Sequence, residues 1–390
     1  MYQIPPEMAE ATRLTRLGKL AEATALIRRL LSGEHAADSK ASPTIIDGEY
    51  ASADADPERG HARAGFAGPH SSRPRTSLRE TVHHLTAIAK ACGLNKPFAP
   101  RPIAEPIPDG ASFTVATYSN AAGRRNYKLY VPSSRITEPL PLIVMLHGCT
   151  QSADDFAAGT RMNALGEEYG FLVAYPEQSV SANAKHCWNW FKPDDQRRDE
   201  GEPSLIAGIT KQIMSDHPVD PGRVFITGLS AGGAAAAIMG ETYPDLYAGL
   251  CIHSGLPYGV ARDLPSAFDA MRVGAAVPHR STRVVPTIIF HGDEDPIVHR
   301  RNGEAVARQV LGSATGLRQI TEQGQAPGGH TYSRVIYNDP EDVTICEHWR
   351  IHRAGHAWAG GSSSGSYTDP LGPDASREMV RFFLERGRNN

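Results

Sequence analysis

One short stretch of this chain restricts its fold more than any other. Residues 225–237 read FITGLSAGGAAAA, and they join an apolar, β-branched run to an alanine-rich segment through a turn that contains Ser230. Gly228 and Gly232 flank the serine at positions where a Cβ atom would obstruct a sharp change of direction. On such a strand-to-helix turn the serine hydroxyl projects out of the sheet. A glycine-rich turn that merely contains a serine is the alternative, so the pattern needs chemical partners elsewhere in the chain.

Strand-like and helical segments alternate from about residue 111 onward. Apolar runs typical of buried strands cover residues 113–117, 127–131, 142–146, 171–174, 224–227, 250–253, 285–290 and 345–351. Helical periodicity covers residues 156–169, 205–216, 231–241, 303–311 and 375–385. This alternation predicts an α/β fold with a mostly parallel sheet and helices on both faces. Reactive groups in such sheets lie at the carboxyl ends of the strands.

The first 110 residues differ in composition from the rest. Apolar residues at three- and four-residue spacing predict an amphipathic helical segment within residues 1–31, which we expect to dock on the main domain. Pairing with another copy of the chain and contact with a surface are the alternatives. Residues 32–110 are rich in Ser, Ala, Pro, Gly, Asp and Arg, which predicts a mostly disordered linker with one short helix near residues 77–92. Residues 111–390 then form the α/β domain.

Global properties argue against several classes of partner. The formal net charge is −3, so nothing indicates binding to nucleic acid or to an anionic membrane. No stretch approaches the ~20 apolar residues of a membrane span. The first residues contain no continuous apolar run of the secretory type, so the chain as written is expected to be cytoplasmic. The five cysteines form no CxxC pair and no zinc-binding spacing, so no metal ion is expected.

A serine nucleophile needs a base, and the base needs an orienting acid. The stretch TIIFHGDEDPIV contains a buried strand followed directly by two candidate acids, Asp293 and Asp295. We choose Asp295 because the residues at 296–298, Pro-Ile-Val, would anchor the loop immediately after it. A solvated acidic loop is the alternative.

The base is predicted in the stretch HRAGHAWAGG, where His356 lies on a glycine-flanked loop after a strand. Three other histidines compete for this role. His348 and His352 are four residues apart, but their apolar neighbours indicate sheet residues rather than metal ligands. His330 lies in the loop sequence GGHTY and is interpreted as a loop residue.

An oxyanion hole is the third requirement, because backbone N–H groups must face the oxygen that becomes negative during acyl transfer. The amide of Ala231, which follows the nucleophile, is one predicted donor. The stretch PLIVMLHGCTQS supplies the other, the amide of Cys149, on a loop after an earlier strand. His147 is interpreted as a structural residue that orients this loop.

Several stretches resemble the polyhydroxybutyrate depolymerase family of serine esterases, which is related to feruloyl and acetylxylan esterases. They are LHGCTQSADDFAAGTRMNALGEEYGFLVAYPEQ, CWNWF, GLSAGGAAAAIMGETYPDLYAG, GLPYG, GHAWAGG and YTDPLGPDASREMVRFF, and the resemblance spans roughly residues 113–384. It implies an α/β-hydrolase fold and a triad of Ser230, Asp295 and His356. It also implies hydrolysis of polyesters of short 3-hydroxy acids, or of small acyl esters, without a cofactor.

The resemblance also bears on cysteines and aromatic residues. The family often has a cysteine where this chain has Val260, whereas the family cysteines at Cys149 and Cys187 are present. These two form either a disulfide or a pair of buried thiols. Four aromatic side chains are expected to line the substrate cleft, with core packing as the alternative. They are Trp188, Trp190, Tyr258 and Trp358.

The sequence therefore predicts a serine carboxylic ester hydrolase that acts on polyhydroxybutyrate-type polyesters, their oligomers or short acyl esters. A feruloyl- or acetylxylan-type esterase, a thioesterase or a peptidase on the same fold is the nearer alternative. A non-catalytic binding protein is the remote one. Many relatives are secreted, which is the alternative to a cytoplasmic location. The amphipathic segment in residues 1–31 is further hypothesised to tether the enzyme to a polyester granule.

Overall fold

In the computed structural model, the described residues are 105–133, 138–276, 281, 283–312 and 314–386. The predicted helical segment 1–31, the predicted linker up to residue 104 and the proposed granule tether lie outside them. Within the described ranges, no helix combines the length and the apolar character that a membrane crossing needs.

Ten strands of the described part of the chain form one sheet, in the order β1-β2-β4-β3-β5-β6-β7-β10-β9-β8. The six central strands, from β4 to β10, run parallel, and antiparallel pairs extend the sheet at both edges. The strands are β1 Ser112–Asn120, β2 Gly123–Val131, β3 Leu140–Leu146, β4 Leu172–Pro176, β5 Val219–Leu229, β6 Gly249–His253, β7 Thr287–Gly292, β8 Arg318–Gln325, β9 Thr331–Asn338 and β10 Thr344–Ile351. A separate short pair joins β11 Trp358–Ala359 to β12 Thr368–Asp369.

Seven α-helices lie in the described ranges and pack against this sheet. They are α1 Ala153–Thr160, α2 Met162–Tyr169, α3 Gly201–Asp216, α4 Ala231–Thr242, α5 Leu264–Val273, α6 Arg301–Leu311 and α7 Ala375–Arg386. The predicted helix 156–169 is two helices, because Arg161 between them has a φ of 56° in the left-handed region. The α/β fold with a mostly parallel sheet, which the alternation of elements predicts, is therefore present.

The central strands are buried on both faces, which explains their continuous apolar sequences. Successive residues of β3 point to opposite faces, and Ile143 and Val144 belong to different apolar clusters. The Val144 cluster contains residues of α3 and α4. The Ile143 cluster contains residues of α1, α2 and α7, including Phe383, whose ring stacks on Phe225 at 4.4 Å between centroids.

The parts of the fold that were not predicted from the sequence include one hairpin and one helix. The β8–β9 hairpin is one, because β8 is a polar edge strand whose residues are exposed except at half-buried Ile320 and Gly324. Such a strand has neither an apolar run nor a clear alternation. Helix α5 is the other, although it begins with a capping box in which Asp263 accepts from the amide of Ser266.

The parallel direction of the central strands places their carboxyl ends along one edge of the sheet. Neighbouring strands end in register there, with Leu146 paired to Gly228, Leu229 to His253 and Gly292 to Ile351. The loops that follow β3, β5, β7 and β10 consequently meet at this edge. These loops carry the residues singled out from the sequence.

Candidate active site

Ser230 occupies a strained turn between β5 and α4. Its φ of 57° and ψ of −117° are unusual for a residue with a side chain. The turn is possible because of its glycines. A Cβ on Gly228 would lie 2.3 Å from the carbonyl carbon of Gly232, and one on Gly232 would lie 2.1 Å from the oxygen of Leu146. The amide of Ser230 donates to the oxygen of His253 at 2.9 Å, which ties the turn to the end of β6.

Asp295 and His356 are in direct contact at the same edge. His356 Nδ1 lies 2.7 Å from Asp295 Oδ2, and the Asp295 side chain is fully buried while that of His356 is 9% exposed. Because a carboxylate only accepts, Nδ1 carries the proton and Nε2 is left with its lone pair. The structure shows no hydrogen bond between the Ser230 hydroxyl and His356, a contact that often tightens only when substrate is bound.

The second oxygen of Asp295 fixes the carboxylate in the loop after β7. Oδ1 accepts from the amides of Ile297 at 2.8 Å and Val298 at 2.9 Å. Burial alone would raise the pKa of Asp295, but the charge and hydrogen bond of His356 and the amide of Val298 outweigh it and hold that pKa below its usual value. The carboxylate is therefore ionised and oriented toward the imidazole.

The competing acid and histidines have partners of their own. Asp293 Oδ2 lies 2.8 Å from His352 Nδ1, so the two aspartates of this loop pair with two different histidines. His330 Nε2 lies 3.1 Å from Asp369 Oδ2. His348 lies within β10 and is buried.

His291, which was not predicted as a site residue, contacts the loop that carries Asp295 and supports it. Its Nε2 donates to the oxygen of Val298 at 2.7 Å and lies 3.6 Å from Asp295 Oδ2. Its Nδ1 is buried and has no hydrogen-bond partner among the residues that the structure describes. A Cβ on Gly303 of α6 would lie 3.0 Å from that nitrogen, so the helix closes over the ring. The signal in the sequence that could have identified His291 is its position, since it is a polar residue near the end of a strand that is buried throughout.

The loop that follows β3 is held rigidly around His147. This buried side chain uses Nδ1 to contact the oxygen of Gly148 at 2.8 Å, and its Nε2 accepts from the amide of Gln178 at 3.1 Å. The Trp188 indole donates to the His147 oxygen at 3.1 Å. The buried carboxylate of Glu202 accepts from the Gln178 side chain and so supports the same loop. Gln178 and Glu202 were not predicted from the sequence as site residues.

The two backbone amides predicted as oxyanion donors belong to loops at this edge. They are those of Cys149 and Ala231, and they donate to no other residue in the part of the chain that the structure describes. A Cβ on Gly148 would lie 3.5 Å from the oxygen of Leu229, so the Cys149 loop adjoins the turn that carries Ser230. Cys149 is joined to Cys187 by a disulfide, and the amide of Thr150 donates to the oxygen of Lys185 at 2.8 Å.

The four aromatic residues expected at the cleft differ in accessibility. Trp188 and Trp358 are 0% and 1% exposed, and the Trp358 indole donates to Ser376 at 3.0 Å. Neither presents a ring face to a ligand, which corrects the expectation for these two residues and supports the core-packing alternative. Trp190 is buried apart from an exposed fraction of 7%, and Tyr258 is half-buried, so these two are the members of the set that keep some accessible surface.

Neutral buried histidines surround the candidate site. Burial lowers the pKa of His147 to about 4 and that of His348 to about 3. Burial, together with the charges of His291 and His356, lowers the pKa of His253 to about 3. Within the described ranges, no group of three or more His, Cys, Asp or Glu side chains is arranged to hold a metal ion.

These histidines predict acid sensitivity of the fold. In the unfolded chain they take up protons below about pH 6.5, whereas the buried rings do so only near pH 3 to 4. The unfolded state binds more protons in this window, so the free energy of unfolding should fall as the pH drops, by about 1.4 kcal/mol per pH unit for each buried histidine. Urea unfolding at pH 7, 6 and 5 measures this slope.

The matched control is His348→Leu, which removes one of these titrating groups. His348 makes no hydrogen bond to a described residue, so the change deletes no polar contact. We expect the free energy of unfolding to depend less steeply on pH in this variant, by the contribution of one buried histidine, about 1.4 kcal/mol per pH unit. An unfolding free energy that stays constant from pH 7 to pH 5 in the unaltered protein would contradict the prediction.

Comparison with known proteins gives one family and a consistent set of relatives. The family model described as "Esterase PHB depolymerase" matches residues 125–333. Poly(3-hydroxyalkanoate) depolymerase C of Paucimonas lemoignei is 31% identical over an alignment of 255 residues, and the match covers 62% of this chain and 60% of that protein. Feruloyl esterase B of Neurospora crassa is 31% identical over an alignment of 243 residues, and the match covers 57% of this chain and 80% of that protein.

A solved structure agrees with the fold. The acetyl xylan esterase from Aspergillus awamori has a TM-score of 0.56 and 19% sequence identity, with 70% of this chain and 99% of that chain covered. The match to the depolymerase above spans about 60% of that relative's length, and the match to the probable acetylxylan esterase A of Aspergillus fumigatus spans 42%.

Proposed function

The chain belongs to the esterase PHB depolymerase family, and from that membership we propose that it is a serine esterase that hydrolyses carboxylic esters through Ser230, His356 and Asp295. The observation that carries the proposal is the hydrogen-bonded pair of Asp295 and His356, which lies at the same sheet edge as the strained Ser230 turn. A buried acid that orients a histidine, at the sheet edge where a serine lies on a strained turn, is the arrangement of a nucleophilic hydrolase.

In the proposed reaction, the Ser230 oxygen attacks the ester carbonyl carbon while its proton passes to His356 Nε2. The carbonyl oxygen becomes negative and is stabilised by the amides of Cys149 and Ala231. Asp295 stays ionised and stabilises the imidazolium. The carbon–oxygen bond to the alcohol then breaks, and the alcohol leaves with the proton from His356. A water molecule repeats the attack on the acyl-serine and regenerates the enzyme.

The proposed substrates are polyhydroxybutyrate-type polyesters, their oligomers and short acyl esters, following the name of the family and of its depolymerase relatives. A feruloyl-type esterase is the second candidate. It is favoured by the match to a feruloyl esterase, which covers 80% of that relative's length. Trp190 and Tyr258 would contact the acyl group or polyester chain in either case.

A substrate panel tests the proposal. p-Nitrophenyl butyrate, a soluble 3-hydroxybutyrate oligomer, an amorphous polyhydroxybutyrate suspension, methyl ferulate and acetylated xylan would be assayed side by side, with Ser230→Ala as the blank. We expect hydrolysis of the short ester and of the oligomer. Preferential cleavage of methyl ferulate would support the second candidate. If no ester is hydrolysed and a serine-reactive phosphonate does not label Ser230, the protein is not a serine esterase.

A further inference from the structure

A second aspartate–histidine pair lies beside the proposed catalytic pair. Asp293 Oδ2 is 2.8 Å from His352 Nδ1, and His352 Nε2 is 2.9 Å from the hydroxyl of Ser333 on β9. Because the carboxylate only accepts, His352 carries a proton on Nδ1, the same tautomer that His356 has. All three side chains are half-buried. We refer to Asp293, His352 and Ser333 as the relay.

The relay joins the two loops that carry the proposed acid and base. The amide of Asp293 donates to the oxygen of Ile351 at 3.0 Å, and the amide of Glu294 donates to the oxygen of Ala354 at 3.1 Å. These bonds continue the pairing of β7 with β10 beyond the strand ends, where Gly292 is paired with Ile351. The loop that carries Asp295 and the loop that carries His356 are therefore joined directly by backbone hydrogen bonds.

The Asp293 side chain reinforces this junction at its most strained point. Its Oδ1 accepts from the amide of Arg353 at 2.8 Å. Arg353 has a φ of 62°, which is unfavourable for a residue with a side chain. The backbone of His352 adds a link to β9, since its amide donates to the oxygen of Thr331 at 2.9 Å. The base loop is thus fixed on one side by Asp293 and on the other by β9.

The relay is close in sequence to the proposed catalytic pair. Asp293 precedes Asp295 by two residues, and His352 precedes His356 by four. A displacement of about 1 Å between reacting groups can cost on the order of 10²-fold in rate. We propose that Asp293, His352 and Ser333 are positioning residues that set the distance and angle between Asp295 and His356. This inference rests on the function proposed above.

The relay has a matched control elsewhere in the fold. His330 and Asp369 form another half-buried histidine–aspartate contact, at 3.1 Å, and their side chains are 17% and 18% exposed. No hydrogen bond joins the side chains of this pair to residues 292–298 or 352–356 within the described ranges. Loss of the His330 contact therefore tests a comparable ion pair that does not join the two loops.

Steady-state kinetics on p-nitrophenyl butyrate test the proposal with Asp293→Ala, His352→Ala, Asp293→Asn and His330→Gln. We expect the two alanine variants to lose about 10- to 10²-fold in kcat, with KM changed less than about twofold. Asp293→Asn should retain most of the activity. Its amide oxygen can accept from Arg353, while its NH₂ can donate to a His352 ring that carries its proton on Nε2. His330→Gln should match the unaltered enzyme. Thermal unfolding of each variant ensures that assays are run on folded protein.

Two results would overturn the positioning role. One is an Asp293→Ala variant that keeps its kcat within twofold. The other is a loss of kcat in His330→Gln as large as in Asp293→Ala, which would show a merely structural effect.

A separate readout keeps the relay distinguishable from the proposed function. The His356 Nδ1 proton on Asp295 should give a strongly downfield proton NMR signal, which Asp295→Asn removes and thereby assigns. We expect Asp293→Ala to shift or broaden this signal. Activity that persists in Ser230→Ala would overturn the proposed function. Separately, a signal that is unchanged in Asp293→Ala would overturn the positioning role of the relay, whatever the result for Ser230→Ala.

Discussion

Replacement of Ser230 by alanine is expected to lower kcat for an ester substrate by about 10⁴- to 10⁶-fold. The proposed mechanism has no other oxygen nucleophile at the edge of the sheet where Asp295 and His356 meet. The fold should persist, because alanine keeps the Cβ atom and the backbone amide that donates to the oxygen of His253. The residual rate would come from the oxyanion donors and from substrate binding.

The measurement compares Ser230→Ala with Ser204→Ala, a serine on α3 whose hydroxyl donates to the oxygen of Gly201 at 2.8 Å. Both variants should unfold cooperatively near the temperature of the unaltered protein, and Ser204→Ala should keep its activity. Retention of a tenth or more of the original kcat in Ser230→Ala would rule out this serine as the nucleophile.

Asp295→Asn is expected to reduce kcat by about 10³- to 10⁴-fold, because it would hold His356 in the tautomer that cannot act as the base. The two amides of Ile297 and Val298 that donate to Oδ1 require an acceptor there, so the asparagine must place its oxygen at that site. Its NH₂ group then faces His356 Nδ1 and forces that nitrogen to accept. The ring proton moves to Nε2, which can no longer take the proton of Ser230.

Asp369→Asn is the matched control, because Asp369 also contacts a histidine and accepts from a backbone amide, that of Leu371, at 3.0 Å. It should leave kcat within about twofold. The pH profile of kcat adds a second check, since a tautomer defect should persist at every pH at which the enzyme is folded. An Asp295→Asn enzyme with more than a tenth of the original kcat would exclude this role for the carboxylate.

The sequence was most informative where strand ends coincide with small or polar residues. Ser230 was recognisable from the flanking Gly228 and Gly232. The structure shows why both must be glycine, because an added Cβ at either position would lie 2.1–2.3 Å from a backbone atom. His356 and Asp295 were chosen for their place after strands, and the structure brings these two together.

Other features depend on contacts between distant segments and could not be inferred locally. Asp293 and Asp295 lie two residues apart in the same loop, and each of them contacts a histidine. Only the three-dimensional arrangement shows which histidine each one meets. The burial of Trp188 and Trp358 is a similar case, because an aromatic residue near a site in sequence packs equally well into the core or the cleft.

The polar edge strand β8 has a consequence for the behaviour of the protein at high concentration. An exposed strand edge offers unpaired backbone groups to any other chain that can extend the sheet. The outer strand here carries two charged and three amide side chains, and Glu322 lies 3.3 Å from Arg334 while Arg318 binds Asp342. A second sheet that docked on this edge would have to displace these hydrated groups. The sheet therefore ends in a strand that resists edge-to-edge aggregation, although its inner strands are rich in the apolar residues that promote it.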